Sequence, residues 1–303
     1  MTFCFAFSAN PDGIAVIADT RLSRDEQHFS DGHQKVIFPT EDSFIAISGV
    51  WGPISYILRD IGGAISPIPF GRRIDFLRTH LRRRYVEGLE ARSFAGSPDD
   101  VSLIYGDVRL HKGANRTRLV RFSFQFESGT AEFGERSAPN FGWQCIGVTP
   151  ALRKFLANTA VASLQDLDQR GLAVRSEPNR LYLTAGRVPY QNLYSRGCSF
   201  EPSARAAIHL DSSGPRDGTF LKTLRAFTKA NTAIEPIQVL GSVALRAIAE
   251  QVAVFRNPPL SGIEAISDTW SLATISRRNG IRLYTGDDPN GVMALFGLSK
   301  GLS

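Results

Sequence analysis

The fold is decided between Thr2 and Gly49, where the chain reads TFCFAFSANPDGIAVIADTRLSRDEQHFSDGHQKVIFPTEDSFIAISG. Phenylalanines alternate with small residues at the start of this stretch, which predicts a strand with one bulky face and one small face. The turn at residues 10–13 then leads into an apolar strand that ends at Asp19. Residues 35–47 repeat the pattern around a second turn. The stretch therefore predicts two β-hairpins, and the second hairpin ends at Gly49.

Four residues of this stretch form one candidate catalytic apparatus: Thr2, Asp19, Lys35 and Gly49. Removal of Met1 would give Thr2 a free α-amine, whose unperturbed pKa is about 7.7–8.0. Such a threonine carries its own base, because the amine can take the proton of the hydroxyl. A nearby Lys35 cation would lower the pKa of that amine, and Asp19 would pair with Lys35 and align it. The Gly49 N–H would stabilise a developing oxyanion.

The Asp19 and Lys35 residues also have a structural interpretation. They could form an ion pair between two strands, and an inactive relative can retain such a pair. The residues alone leave the catalytic and the structural interpretations open.

The chain resembles the β-type subunits of the proteasome and their bacterial relatives, the HslV and Anbu peptidases. The resemblance rests on Asp12-Gly13, five apolar residues and Asp19-Thr20-Arg21, and also on Lys35-Val36-Ile37-Phe38 and Ser48-Gly49. The intervals from Asp19 to Lys35 and to Gly49 match the family, whereas the first hairpin has one extra residue. These proteins are N-terminal-nucleophile hydrolases. The resemblance thus implies an α+β fold, a four-layer αββα sandwich.

The resemblance implies an N-terminal threonine hydrolase, similar to a proteasome-like peptidase, that cleaves peptide bonds through an acyl-enzyme on Thr2. Asp19 and Lys35 would be its charge partners, and Gly49 would be the oxyanion donor. A peptide or protein substrate and a homo-oligomer, as a ring or stacked rings, are implied as well. Any ATPase partner would be a separate chain, since this chain has no phosphate-binding loop.

Two other functions remain open. The first is a non-catalytic, proteasome-like assembly or binding subunit, in which the fold serves only as a building block. The second is a small-molecule amidase or acylase that shares the nucleophile chemistry. A large ring would favour the peptidase or the assembly subunit, whereas a monomer with a narrow pocket would favour the acylase.

Two more positions align with the family's network around the nucleophile's amine. Thr149 stands where the family has a serine, and it either replaces that serine or only forms a turn before the next helix. Ser261 aligns with another family serine, but the family's aspartate three residues earlier falls on Pro258. Proline can neither ionise nor accept a proton. Either Asn257 or another group takes that role, or the network is incomplete.

The rest of the chain predicts further helices and strands in the order of that sandwich. Helices are predicted over 51–60, within the Arg-rich segment 72–92, from Ala151 and over 240–255, and strands over 101–107, 119–127, 143–148, 270–276 and 281–284. Segment 175–235 has no family counterpart and is rich in Arg, Ser, Gly and Pro. We predict a loop-rich insertion there, with one helix over 220–230. A single domain over residues 1–303 is expected.

Composition favours a folded cytoplasmic protein. The chain has 303 residues, of which 43% are hydrophobic and 10% aromatic, enough for a sizeable core. Cys4, Cys145 and Cys198 are scattered, which predicts neither disulfides nor a cysteine zinc site and favours a reducing cytoplasm. No stretch is expected to span a membrane. No cofactor is expected.

The net charge of +6 comes largely from arginines between residues 72 and 92. Apolar residues recur among them at helical spacing, so we interpret the arginines as a solvated helix face or a subunit contact. Nucleic-acid binding is not expected, because no DNA- or RNA-reading motif accompanies them. The pairs His28/His33 and Cys198/His209 are interpreted as loop, packing or surface residues, and no metal site is expected.

Overall fold

Two five-stranded antiparallel sheets form the centre of the protein in a computed structural model. The structure describes residues 3–9, 12–23, 29–91, 101–109, 116–127, 130–138, 141–169, 173–177, 180–184, 198–200, 206–211, 235–260, 262–276 and 279–286. Within these residues the strands are β1 (Phe3–Ala9), β2 (Gly13–Asp19), β3 (Leu22–Ser23), β4 (Phe29–Ser30), β5 (Val36–Thr40), β6 (Ser43–Ser48), β7 (Val101–Val108), β8 (Thr117–Glu127), β9 (Thr130–Ala138), β10 (Phe141–Gly147), β11 (Ala173–Glu177), β12 (Arg180–Thr184), β13 (Cys198–Phe200), β14 (Ala206–Asp211), β15 (Trp270–Ser276) and β16 (Gly280–Gly286). The helices are α1 (Trp51–Ile57), α2 (Ile61–Ile65), α3 (Arg73–Glu90), α4 (Pro150–Gln169) and α5 (Pro236–Phe255). The protein is therefore of the mixed α+β class.

Each sheet is built on one of the two expected hairpins. Sheet 1 has the strand order β10-β1-β2-β15-β16, and β1 pairs with β2 as the first hairpin. Sheet 2 has the order β5-β6-β7-β8-β9 and begins with the second hairpin. Strands β3 and β4, which the sequence did not predict, form a separate two-stranded ribbon.

The alternation of bulky and small residues in β1 separates two apolar clusters. Phe3, Phe5 and Phe7 pack with apolar residues of α4 and α5. Cys4 and Ala6, on the other face of the strand, pack with residues of both sheets. The small residues allow the two sheets to approach each other closely, whereas the phenylalanines fill the larger space beneath the helices.

Helix α3 confirms the interpretation of the arginine-rich segment as a helix with one apolar face. Leu77, Leu81 and Tyr85 are buried in a third apolar cluster, together with residues of α1, α2 and sheet 2. On the outer side, Arg78 forms an ion pair with Glu135 of β9 at 2.6 Å. Carboxylates thus offset part of the positive charge of this helix.

Helix α5 corrects the expectation that no stretch is long and apolar enough to span a membrane. Its 20 residues meet that criterion by length and composition, and no other helix in the described part of the chain does. However, 72% of its apolar window is buried inside the fold, as in a core helix. It begins with a capping box of Glu235 and Gln238, which satisfies N–H groups of its first turn.

Other elements differ in extent from the predictions. The helix expected over residues 51–60 ends at Ile57, and a second short helix, α2, which was not predicted, follows from Ile61 to Ile65. Strand β9 was not predicted, because residues 130–138 carry charges and a glycine in place of an alternating apolar pattern.

The expectation of a loop-rich insertion is wrong for part of segment 175–235. Strands β11 to β14 form a four-stranded sheet of order β11-β12-β14-β13. Alternating apolar residues in β12 and β14 explain these strands, whereas the Arg, Ser, Gly and Pro content favoured loops. The helix predicted over residues 220–230 lies outside the described residues.

Replacing Gly13 with alanine is expected to destabilise the fold by about 2–4 kcal/mol. Gly13 has φ +138°, and a β-carbon there would lie 2.2 Å from the backbone oxygen of Ile275. Neither the strain nor the collision can be relieved by a side-chain rotation. Urea unfolding measures the change, and Gly63→Ala in α2 is the matched control because its β-carbon meets nothing within 4 Å. Equal stability of Gly13→Ala and the control would contradict this prediction.

Candidate active site

A buried ion pair between Asp19 and Lys35 lies at the centre of the candidate site. Lys35 Nζ lies 3.0 Å from both carboxylate oxygens of Asp19. The Asp19 and Lys35 side chains are 0% and 1% exposed. Burying two charges is costly, so close contact and additional hydrogen bonds must offset the loss of hydration.

The ion pair joins the two sheets at one end. Asp19 is the last residue of β2 and pairs with Trp270 of β15 in sheet 1. Lys35 directly precedes β5 of sheet 2, and its carbonyl oxygen accepts a hydrogen bond from Ile47 N at 3.0 Å. The two hairpins therefore bring Asp19 and Lys35 together from different sheets.

Three backbone N–H groups also donate to the Asp19 carboxylate. Phe3 N lies 2.7 Å from Oδ1, while Arg21 N and Ser267 N lie 3.0 Å and 3.3 Å from Oδ2. Together with Lys35, these donors stabilise the buried negative charge. They come from separate segments of the chain, so the position of the carboxylate depends on all of these segments.

Thr2 lies outside the described residues, but its covalent neighbour Phe3 is part of the site. The Phe3 N–H bond to Asp19 fixes the start of β1 against the ion pair. Consecutive Cα atoms lie about 3.8 Å apart across a peptide bond. Thr2 is therefore one residue along the chain from a group that contacts Asp19.

Gly49 follows β6 at the corresponding end of sheet 2. Ser48, the last residue of β6, pairs with Ser102 of β7. Gly49 is exposed and has φ +129°, a conformation in which any side chain would be strained. Gly49, the predicted oxyanion donor, thus lies two residues after Ile47, whose N–H donates to the Lys35 carbonyl. Because glycine has no side chain, the backbone of Gly49 is not covered by one.

Thr149 forms the N-terminal cap of helix α4. Its Oγ1 accepts a hydrogen bond from Leu152 N at 3.4 Å, and its carbonyl oxygen accepts one from Arg153 N at 2.9 Å. These bonds satisfy N–H groups of the first helical turn. Because Gly147 pairs with Phe3 in sheet 1, this cap lies at the same end of the sheet as Asp19.

Ser261 lies outside the described residues, whereas its neighbour Gly262 adjoins Thr149. A β-carbon at Gly262 would lie 3.4 Å from Thr149 Cγ2. The two segments that align with the family's amine network are therefore close to each other. Asn257 and Pro258 are both exposed in the turn after α5.

Arg21 connects two loops beside the ion pair. Its Nε and Nη2 donate to the Asp31 carboxylate at 2.8 Å and 3.0 Å, and its Nη1 donates to the Glu264 carbonyl at 2.7 Å. The hydrogen bonds from Arg21 lower the pKa of Asp31 below its usual value. Arg21 thus links the loop before Lys35 to the loop before β15.

The sequence did not identify Ser267 and Thr269 as site residues. Ser267 is fully buried, and its N–H donates to Asp19. The run Ser267-Asp268-Thr269 before β15 indicates only a turn. Ser267 and Asp19 lie far apart in the sequence, so their contact is visible only in the folded protein.

Cys4 lies beside the ion pair but adds no nucleophile to it. Cys4 Sγ donates to the Ile47 carbonyl oxygen at 3.6 Å, and burial raises the pKa of its thiol, which keeps the thiol protonated and unreactive. Among the residues that the structure describes, no group of three His, Cys, Asp or Glu side chains could hold a metal ion.

Solved structures of Anbu proteins align with most of this chain. A Gly-1 mutant of Anbu from Hyphomicrobium sp. strain MC1 aligns with 97% of this chain and 92% of its own, at 10% identity and a TM-score of 0.46. Anbu from the same strain has 12% identity, the same coverage and a TM-score of 0.44. Anbu, described as an ancestral beta-subunit, from Yersinia bercovieri aligns over 99% and 94% of the two chains, at 12% identity and a TM-score of 0.44. No protein-family model and no curated protein matches the sequence.

Proposed function

We propose that this protein is an N-terminal threonine hydrolase with Thr2 as its nucleophile. The observation that carries the proposal is the buried Asp19–Lys35 pair, which holds a cation beside the start of β1. After removal of Met1, this cation would lower the pKa of the Thr2 amine and keep the amine neutral as a base.

In the proposed reaction, the amine takes the hydroxyl proton while Thr2 Oγ attacks an amide carbonyl. The Gly49 N–H stabilises the resulting oxyanion. The amine then gives its proton to the leaving nitrogen, and an ester on Thr2 remains. Water hydrolyses this ester and regenerates the free hydroxyl. Thr149 and Ser261 would orient the amine from the adjoining segments.

We further infer that the layered fold, the domain organisation and the assembly are those that the resemblance implies. The apolar clusters on both outer faces of the sheets, and the cluster shared by the two sheets, support a four-layer αββα sandwich. We propose that the whole chain is one domain with an insertion over 175–235, acts on a peptide or protein in the cytoplasm and forms a homo-oligomer. Exposed Phe155 and Val254 on the outer helices support a subunit contact. Any ATPase would be a separate partner.

The proposal is tested by labelling Thr2 with a threonine-directed electrophile, such as an epoxyketone that reacts with an N-terminal amino alcohol. Intact mass first shows whether Met1 has been removed. We expect stoichiometric labelling of the wild type at Thr2 and none of Thr2→Ala, while both keep the same circular dichroism spectrum. Thr2→Ser is the matched control and should still be labelled. A processed wild type that is never labelled would overturn the proposal.

A non-catalytic assembly or binding subunit is the second candidate. It is favoured by the exposed Pro258 at the position of the family's aspartate and by the role of Thr149 as a helix cap. It predicts a stable large oligomer, measured by light scattering, with no labelling at Thr2. A labelled monomer would instead favour the amidase or acylase alternative.

A further inference from the structure

Three hydroxyl groups form a buried cluster beside the ion pair. Ser267 Oγ lies 2.7 Å from Thr269 Oγ1 and 3.5 Å from Thr20 Oγ1, and the two threonine hydroxyls also contact each other. Ser267 and Thr20 are buried, and Thr269 is half-buried. We propose that this cluster positions the Asp19–Lys35 pair for the reaction, an inference that rests on the proposed function.

The cluster is bonded directly to the segment that carries Lys35. Thr20 Oγ1 accepts a hydrogen bond from Gly32 N at 3.1 Å, and the Thr20 carbonyl accepts one from His33 N at 3.0 Å. Gly32 precedes Lys35 by three residues. Thr20 thus holds the segment that leads into β5, and this segment determines the position of the Lys35 backbone.

The cluster is bonded equally directly to the segment that donates to Asp19. Thr269 N donates to Ser267 Oγ at 2.9 Å, and Thr20 N donates to the Thr269 carbonyl at 3.2 Å. These bonds hold the turn in which Ser267 N points to Asp19 Oδ2. One set of hydroxyls therefore fixes both members of the ion pair.

One buried hydroxyl of β15, that of Thr274, lacks this connection. Thr274 Oγ1 is buried and has no hydrogen-bond partner among the residues that the structure describes. The hydroxyl cluster differs because each of its members contacts a segment that carries Asp19 or Lys35, or donates to Asp19. A displacement of about 1 Å at a catalytic group can reduce a rate 100-fold.

The test compares Thr20→Val and Thr269→Val with Thr274→Val, which removes from β15 a buried hydroxyl that has no partner in the described part of the chain. The readout is the rate of Thr2 labelling by the epoxyketone as a function of pH. We expect both cluster variants to be labelled about 10- to 100-fold more slowly than wild type. The midpoint of their pH profile should also rise toward the value of a free amine, because Lys35 no longer faces the amine closely. Thr274→Val should match wild type, and Thr20→Ser should recover most of the rate.

The outcomes separate this inference from the proposed function. A wild type that is not labelled overturns both. A labelled wild type whose Thr20→Val and Thr269→Val variants keep its rate and pH midpoint overturns the positioning role alone. Should a valine variant fail to fold, Thr20→Ala and Ser267→Ala provide the same comparison, with circular dichroism as the check of folding. Loss of rate without a shift of the pH midpoint would indicate a merely structural role and would likewise overturn the inference.

Discussion

Lys35→Met is expected to slow labelling at Thr2 by at least two orders of magnitude and to lower the free energy of unfolding by about 3 kcal/mol, the lower end of the range for breaking a buried ion pair. The substitution removes the cation but keeps the length of the side chain. Asp19, which is 0% exposed, would lose the cation that offsets the cost of its burial. The loss should fall at the lower end of the range because three backbone N–H groups still donate to the carboxylate.

The labelling rate should fall by roughly 10²–10⁴-fold, the usual contribution of acid–base catalysis. Without the cation, the Thr2 amine is protonated over more of the neutral pH range and cannot accept the hydroxyl proton. The control is Lys154→Met, which makes the same change on an exposed lysine of α4 and should alter stability by less than about 0.5 kcal/mol. Urea unfolding and epoxyketone labelling measure the two effects. Labelling of Lys35→Met at the wild-type rate would exclude a catalytic role for this lysine.

The parts of the site that could be predicted from sequence are those set by local patterns. Alternation and turn residues fix the two hairpins, and each hairpin ends at a residue with distinctive chemistry, Asp19 in one and Gly49 in the other. Lys35 precedes the second hairpin directly. The contact between Asp19 and Lys35 followed from the resemblance, because no local pattern shows that two different sheets meet at this end.

The parts that could not be predicted depend on contacts between distant segments. Ser267 reaches Asp19 only because β15 pairs with β2 in sheet 1, and a serine before a strand has no pattern that indicates this. Strand β9 lacks an apolar face over much of its length, so pairing with β8 rather than its own alternation determines it. In segment 175–235, composition favoured loops, whereas the described residues of this part of the chain include four short strands that pair with one another.

A second buried charged cluster lies at the opposite end of sheet 2 from the candidate site. Asp107 of β7 is fully buried, and Arg118 of β8 donates to it, with Nε at 2.9 Å from Oδ1. Tyr105 Oη also donates to Asp107, at 2.6 Å. The Arg118 guanidinium stacks on the ring of Phe70 at 3.8 Å and bonds to the Phe70 carbonyl. This cluster fastens the segment before α3 to the sheet.

Arg118→Met is expected to destabilise the protein by about 3–5 kcal/mol at neutral pH, because it leaves a buried carboxylate without its cation. Arg78→Met is the matched control. Arg78 also forms ion pairs with carboxylates, but its side chain is 47% exposed, so the loss should stay below about 1 kcal/mol. The labelling rate at Thr2 should be unchanged in folded Arg118→Met, because the cluster lies five residues along β6 and β7 from the site. A loss no larger than that of the control would contradict this prediction.

The destabilisation caused by Arg118→Met should increase with pH, because Asp107 is buried. Burial raises the pKa of Asp107 in the folded protein, and the hydrogen bonds from Arg118 oppose that rise. Removing Arg118 raises this pKa further, so the folded variant binds a proton more tightly than the unfolded chain does. Its stability is then greatest below the unfolded pKa of about 3.9 and falls as pH rises through the folded pKa. Urea unfolding from pH 4 to pH 8 should therefore show that the variant's loss of unfolding free energy, relative to wild type, grows with pH. Adding Asp107→Asn should remove this pH dependence. A loss that stays constant with pH would contradict the role assigned to Asp107.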